Sequence, residues 1–121
     1  MPRIFVMLGL ALCCAGAIAD CRDDMALKSF ITRGYELSGP LALEEIERRH
    51  MVQIEQGGTT RTVLFGRLNE KWLALRAQRA SGDQFIHFRS ASATWGSLAG
   101  REGYLLVRGQ CVVDGIVTFV S

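Results

Sequence analysis

The first nineteen residues set what the rest of the chain must accomplish. Met1-Pro2-Arg3 supplies one positive charge, and the run from Ile4 to Ile18, IFVMLGLALCCAGAI, carries none. Ala17-Ile18-Ala19 then puts small residues three and one positions before Asp20, the pattern of a signal-peptidase site. The run falls short of the ~20 apolar residues that span a bilayer. The expectation is therefore a cleaved secretory leader over residues 1–19, cut between Ala19 and Asp20, with an uncleaved anchor as its rival. Such a chain crosses an inner membrane, works in a periplasm and keeps no membrane span after cleavage. Lipid anchoring fits poorly, because a lipidated cysteine normally follows a small residue. Here Asp20 precedes Cys21, Leu12 precedes Cys13, and Cys14 follows Cys13.

Loss of the leader leaves two of the four cysteines, Cys21 and Cys111, near opposite ends of the mature chain. In an oxidising compartment such a pair is expected to form a disulfide. Closing a loop of that length is worth ~4–5 kcal/mol in the chain-entropy account. Two free thiols are the alternative. Cys21, His50, His87 and Cys111 lack the close paired spacing of a zinc site, so no metal and no cofactor is expected.

The remainder, residues 20–121, has room for one small domain. Nearly half of the whole chain is apolar (49%) and 21% is charged, with a net charge of +2, which argues against disorder. Residues 20–50 hold five Lys/Arg against seven Asp/Glu, and residues 51–121 hold eight against five. That mild asymmetry can orient an encounter with an acidic partner. It is too sparse for a nucleic-acid footprint, and no nucleic-acid partner is expected.

Residues 20–50 read as helical. Asp20 or Asp23 caps a first helix through Met25, Leu27, Phe30 and Ile31, with Gly34 as its stop. Pro40 opens a second helix to about His50, where Glu44, Glu45 and Glu47 precede Arg48 and Arg49 as the helix dipole favours. An edge strand over residues 40–50 competes with it. From Met51 the period changes to two. Turn signals at Gly57-Gly58, Asn69-Glu70, Ser81-Gly82 and Gly109-Gln110 separate strands expected at 51–56, 59–68, 71–78, 83–89, 104–108 and 111–120. Residues 90–103 form a longer connection with a helical turn expected around 94–98. The fold class is α+β: one or two N-terminal helices on an antiparallel meander of five to six strands.

Two-residue loops at Asn69-Glu70 and Ser81-Gly82 fix a register. Leu64, Leu73, Leu75, Ile86 and Phe88 then share a core face under the helices. The other face mixes Val63, Phe65, Trp72 and Phe85 with Arg67, Arg76, His87 and Arg89. Arg67 falls opposite Trp72, and Arg76 opposite His87. Guanidinium groups beside aromatic rings suit a carboxylate, a phosphate or an acidic partner. A second small core rimmed by arginine stems is the plainer reading of the same face.

Signals for catalysis are weak. His50 fits a dipole partner at a helix end. His87 sits mid-strand with Ser81, Ser90 and Ser92 near in sequence, which does not supply triad geometry. No G-x-S-x-G elbow occurs. Of Glu55, Glu70, Asp83, Glu102 and Asp114, three lie at or beside expected turns. The glycines at 96, 100 and 103 match no phosphate loop; residues 90–103 are the alternative partner-facing surface. The sequence thus predicts a non-enzymatic exported binding protein, a monomer or weak homodimer. Its partner is a protein or a small acidic ligand of the envelope, met through Arg67, Trp72, Arg76, His87 and Arg89; an inhibitor or neutralising role suits it. A small hydrolase using His87 and an envelope-assembly component are the rivals.

Overall fold

Tyr104, Leu105, Leu106 and Val107 form an unbroken apolar run, the pattern of a strand covered on both faces. All four are buried. In a computed structural model that describes residues 21–91 and 100–120, they lie in β5 (Arg101–Arg108). The expected leader, its cleavage point at Ala19/Asp20 and the expected turn at 94–98 lie outside the described residues. Upstream of β5 come α1 (Leu27–Thr32), β1 (Glu36–Leu41), α2 (Leu43–Arg49), β2 (Met51–Gln56), β3 (Thr59–Leu64), α3 (Asn69–Ala77) and β4 (Gln84–Arg89). β6 (Cys111–Val120) follows. The fold is mixed helix and antiparallel sheet, with a four-stranded sheet in the order β1-β4-β5-β6 and a separate β2-β3 hairpin.

Alternation along β5 divides the core. Tyr104 and Leu106 join Phe85 and Ile116 on one face, under Ile46 of α2, Trp72 and Leu75 of α3, and Phe65. Leu105 and Val107 join Phe88 and Val112 on the other, against Met25, Leu27, Phe30, Tyr35 and Leu37. Helical segments therefore cover both faces of the sheet, where the sequence suggested one. The hairpin and the β5-β6 turn fall at Gly57-Gly58 and Gly109-Gln110, as expected.

The largest correction concerns residues 69–78. They form α3 rather than a turn and a strand. Leu73 and Leu75 suggest alternation, but the buried pair is Trp72 and Leu75, three apart, while Leu73 is exposed. Glu70, Lys71, Leu73, Ala74, Arg76 and Ala77 are strong helix formers, so the helical period wins. With that strand gone, the expected core face shared by Leu64, Leu73, Leu75, Ile86 and Phe88 vanishes, and the proposed mixed sheet face with it. The preceding strand ends at Leu64. Phe65 and Gly66 then turn the chain with φ of 62° and 54°. The second helix begins at Leu43, not Pro40. Pro40 follows a cis peptide in β1, an edge strand lying one element earlier than the expected alternative. Asp83 is buried, not solvated. Its carboxylate accepts from Arg108 Nε (2.9 Å) and Nη2 (2.8 Å) and from the Ala80 N–H (2.8 Å).

The cysteine expectation holds. Cys21 and Cys111 stand at disulfide distance, Cα to Cα 5.6 Å, across 90 positions. Next to this link Ala26 bridges Cys111, and the Leu27 N–H donates to Gln110 O at 2.8 Å. The start of α1 is thereby tied to the β5-β6 turn.

Trp72 is fully buried at 0% exposure. Its Nε1–H donates to Glu47 Oε2 at 2.8 Å, and Arg76 Nη1 donates to the same oxygen at 2.7 Å. One carboxylate of α2 thus satisfies a buried indole and an arginine of α3. Trp72→Ala is expected to lower stability by roughly 3–5 kcal/mol, the usual cost of emptying a core tryptophan site; denaturant unfolding measures it, and a loss below 1 kcal/mol would contradict this packing.

Candidate functional site

The residues that converge on solvent come from four elements. His50 is the residue after α2, where a helix end meets β2. Its ring is sandwiched against Phe65, with centroids 4.3 Å apart and planes 9° from parallel. Phe65 stacks in turn on Trp72 at 4.6 Å. The left-handed backbone of Phe65 costs about 1–3 kcal/mol and allows this placement, helped by its N–H donating to His50 O at 2.7 Å. His87 of β4 and Tyr104 of β5 are cross-strand partners on the same sheet face. Glu102 lies two residues before Tyr104, and so on that face as well.

These side chains line a cleft of about 400 Å³ together with Thr118 and Phe119 of β6 and with Arg49 of α2. Tyr104 Oη stands 2.8 Å from His50 Nε2, and both side chains line the cleft with Arg49. Which of the two donates follows from the imidazole tautomer, since a phenol can both donate and accept. His87 Nε2 lies 3.0 Å from Glu102 Oε1, and Nδ1 lies 3.5 Å from Ser38 Oγ of β1. Thr118 Oγ1 donates to Glu102 O at 3.2 Å, tying β6 to β5 beside a register shift.

Burial, then the Arg49 charge, holds the His50 imidazolium below the ordinary histidine range. Burial pushes the Tyr104 phenol above its usual value, with Arg49 opposing. The hydrogen bond to Tyr104 raises Arg49, which also donates to Glu45 Oε1 at 2.9 Å. At neutral pH the cleft thus holds a neutral His50, a protonated Tyr104 and a charged Arg49.

Of the five partner-binding residues expected from sequence, only His87 lines this cleft. Trp72 is core, and Arg76 is held by Glu47. Arg67 is exposed in the short turn Gly66–Leu68. Arg89 ends β4, with Glu36 and Glu102 as its cross-strand neighbours. Arg67 is not opposite Trp72, and Arg76 is not opposite His87, because no strand carries Trp72 and Arg76. Sequence reasoning missed Arg49, Glu102, Tyr104, Thr118 and Phe119. Period-two spacing was a usable signal for Glu102 and Tyr104, hidden by starting the strand at Tyr104. Among the described residues no group of three His, Cys, Asp or Glu is placed to hold a metal ion. Comparison with protein families, with curated proteins and with solved structures finds no match.

A lowered imidazole value makes His50 stabilising when neutral. That contribution is complete above the unfolded-state value of about 6.5 and is lost as pH falls through the lower folded-state value. Proton NMR titration is expected to place His50 below the free-imidazole value of about 6.5, and Arg49→Gln is expected to move it upward. A His50 titrating at or above 6.5 would refute the neutral assignment.

Proposed function

We propose that this chain is an exported, periplasmic, non-enzymatic binding protein that holds a small acidic ligand in the His50–His87 cleft. The observation that carries the reading is the placement of Arg49. Its guanidinium lines a small cleft and donates to Glu45 Oε1 at 2.9 Å from one nitrogen of a five-donor fork. The imidazoles of His50 and His87 and the ring of Phe119 supply polar and apolar contact beside it. Such a combination, a mostly preformed concavity with a few fixed polar groups, suits a small molecule. The leader-like N-terminus and the Cys21–Cys111 pair support export to an oxidising compartment.

Calorimetric titration of the oxidised chain with succinate and citrate tests this. Saturable binding is expected, weakened about tenfold or more by Arg49→Gln through loss of a charge-assisted hydrogen bond, and untouched by Arg67→Gln. Absence of carboxylate binding, or an Arg49→Gln variant equal to wild type, would retire the proposal.

One observation favours a second reading, a small hydrolase. Ser38, His87 and Glu102 lie in a row, the order of nucleophile, base and orienting carboxylate. The serine contact, at 3.5 Å, is at the outer limit of a hydrogen bond. On this reading a fluorophosphonate probe labels Ser38, and His87→Gln abolishes labelling. An unlabelled chain, by intact mass, leaves the binding reading alone.

A further inference from the structure

The sheet face opposite the histidine cleft carries a second concavity with different chemistry. It measures about 300 Å³ and lies between α1, the turn that follows it, and strands β4, β5 and β6. Phe30, Tyr35 and Phe88 form its aromatic wall, with ring centroids 5.7 Å and 5.8 Å apart in tilted and edge-to-face contact. Gly115 lies among the lining residues on β6. A Cβ there would approach Leu105 Cδ2 to 3.0 Å and Tyr104 O to 3.1 Å, so Leu105 leans across a position that holds no side chain. Val117 at the rim is 40% exposed.

Two arginines border this apolar surface. The Arg33 guanidinium carbon lies 4.5 Å from the Phe30 centroid and 5.8 Å from that of Tyr35. Its hydrogen bonds go to neutral backbone carbonyls, Ser29 O at 3.3 Å and Asp24 O at 3.4 Å. Arg101 opens β5, with its backbone N–H held by Ser90 Oγ at 2.8 Å and its side chain exposed. Arg22, Arg49, Arg76 and Arg108 each have a carboxylate partner. Arg33 and Arg101 have none among the described residues.

From this arrangement we infer a second ligand site, for a small aromatic carboxylate whose ring lies along Phe30, Tyr35 and Phe88 and whose charge meets Arg33 and Arg101. The aromatic wall favours an aromatic over a long aliphatic body, and the volume bounds its size. That volume stands at the lower end of small-molecule sites, about 300–1,000 Å³, with room for one or two fused rings. The edge-to-face wall presents ring faces and edges suited to another ring. Charge complementarity selects the anion, since a guanidinium stacked on a ring keeps its in-plane N–H groups available to a carboxylate.

The test titrates the oxidised chain with 2-naphthoate and, as a neutral twin, 2-naphthalenemethanol, by calorimetry at low ionic strength. Saturable naphthoate binding is expected at a stoichiometry of one, with the neutral twin about tenfold weaker or worse. Arg101→Gln and Arg33→Gln each reduce affinity several-fold, while Arg49→Gln, which reports on the other cleft, leaves it unchanged. Arg101→Gln alters an exposed side chain and keeps the test valid if Arg33→Gln disturbs α1; the thermal midpoint of each variant checks this. Equal binding of the neutral twin, no response to Arg101→Gln, or sensitivity to Arg49→Gln instead would overturn the inference.

Discussion

Phe65 lies between two rings, His50 on one side and Trp72 on the other, and Trp72 meets Phe85 beyond at 5.4 Å. This row runs from solvent to the sheet and joins the end of α2, the exit of the β2-β3 hairpin, α3 and β4. Its inner end is fixed by burial and by the Glu47 carboxylate that receives the Trp72 N–H. Its outer end is an imidazole whose neutral form is favoured by the rings that cover it. The stack therefore converts hydrophobic burial into the position and charge state of a cleft residue. Phe65 accepts a left-handed backbone to take part, a cost that only a firmly packed surround can impose.

The parts legible in the sequence were those set by local chemistry. Gly57-Gly58 and Gly109-Gln110 marked hairpins because positive φ is cheap for glycine, and Gly57, Gly58 and Gly109 all adopt it. The cysteine pair was legible from compartment logic. Residues 69–78 were not, because Trp72, Leu73 and Leu75 satisfy both a period of two and a helical face. Only the position of Glu47, brought in from 25 residues upstream, shows which is buried. The cleft was harder still. His50 and Tyr104 are 54 residues apart and His87 and Glu102 are 15 apart. No local pattern announces such meetings; His50 reaches Tyr104 because α2 packs on that sheet face, and His87 reaches Glu102 through the antiparallel pairing of β4 with β5.

Asp83 illustrates the same limit. Beside a Ser-Gly turn a carboxylate ordinarily faces water, yet here it is covered and bound by the Arg108 fork. That hydrogen bonding holds its carboxyl below the usual range, so the pair stabilises above the ordinary carboxylate value and weakens as acid reaches the lower folded-state one. It also anchors the end of β5 against the start of β4, the two strands that carry His87, Glu102 and Tyr104.

The two concavities share those strands. Along β5, Tyr104 points into the histidine cleft and Leu105 into the aromatic one; along β4, His87 and Phe88 divide in the same way. Adjacent residues on a strand cannot move independently, because their side chains hang from one pleated backbone. The disulfide at Cys111 and the Leu27 to Gln110 hydrogen bond fix α1 over one face, while the Phe65 stack fixes α2 and α3 over the other. Each layer of helix is thus clamped to the sheet by its own device. What lies between the clamps is a thin, stiff partition, polar on the side of His50 and aromatic on the side of Phe30. Such a partition presents two different concave surfaces from a single set of strands without requiring a second domain.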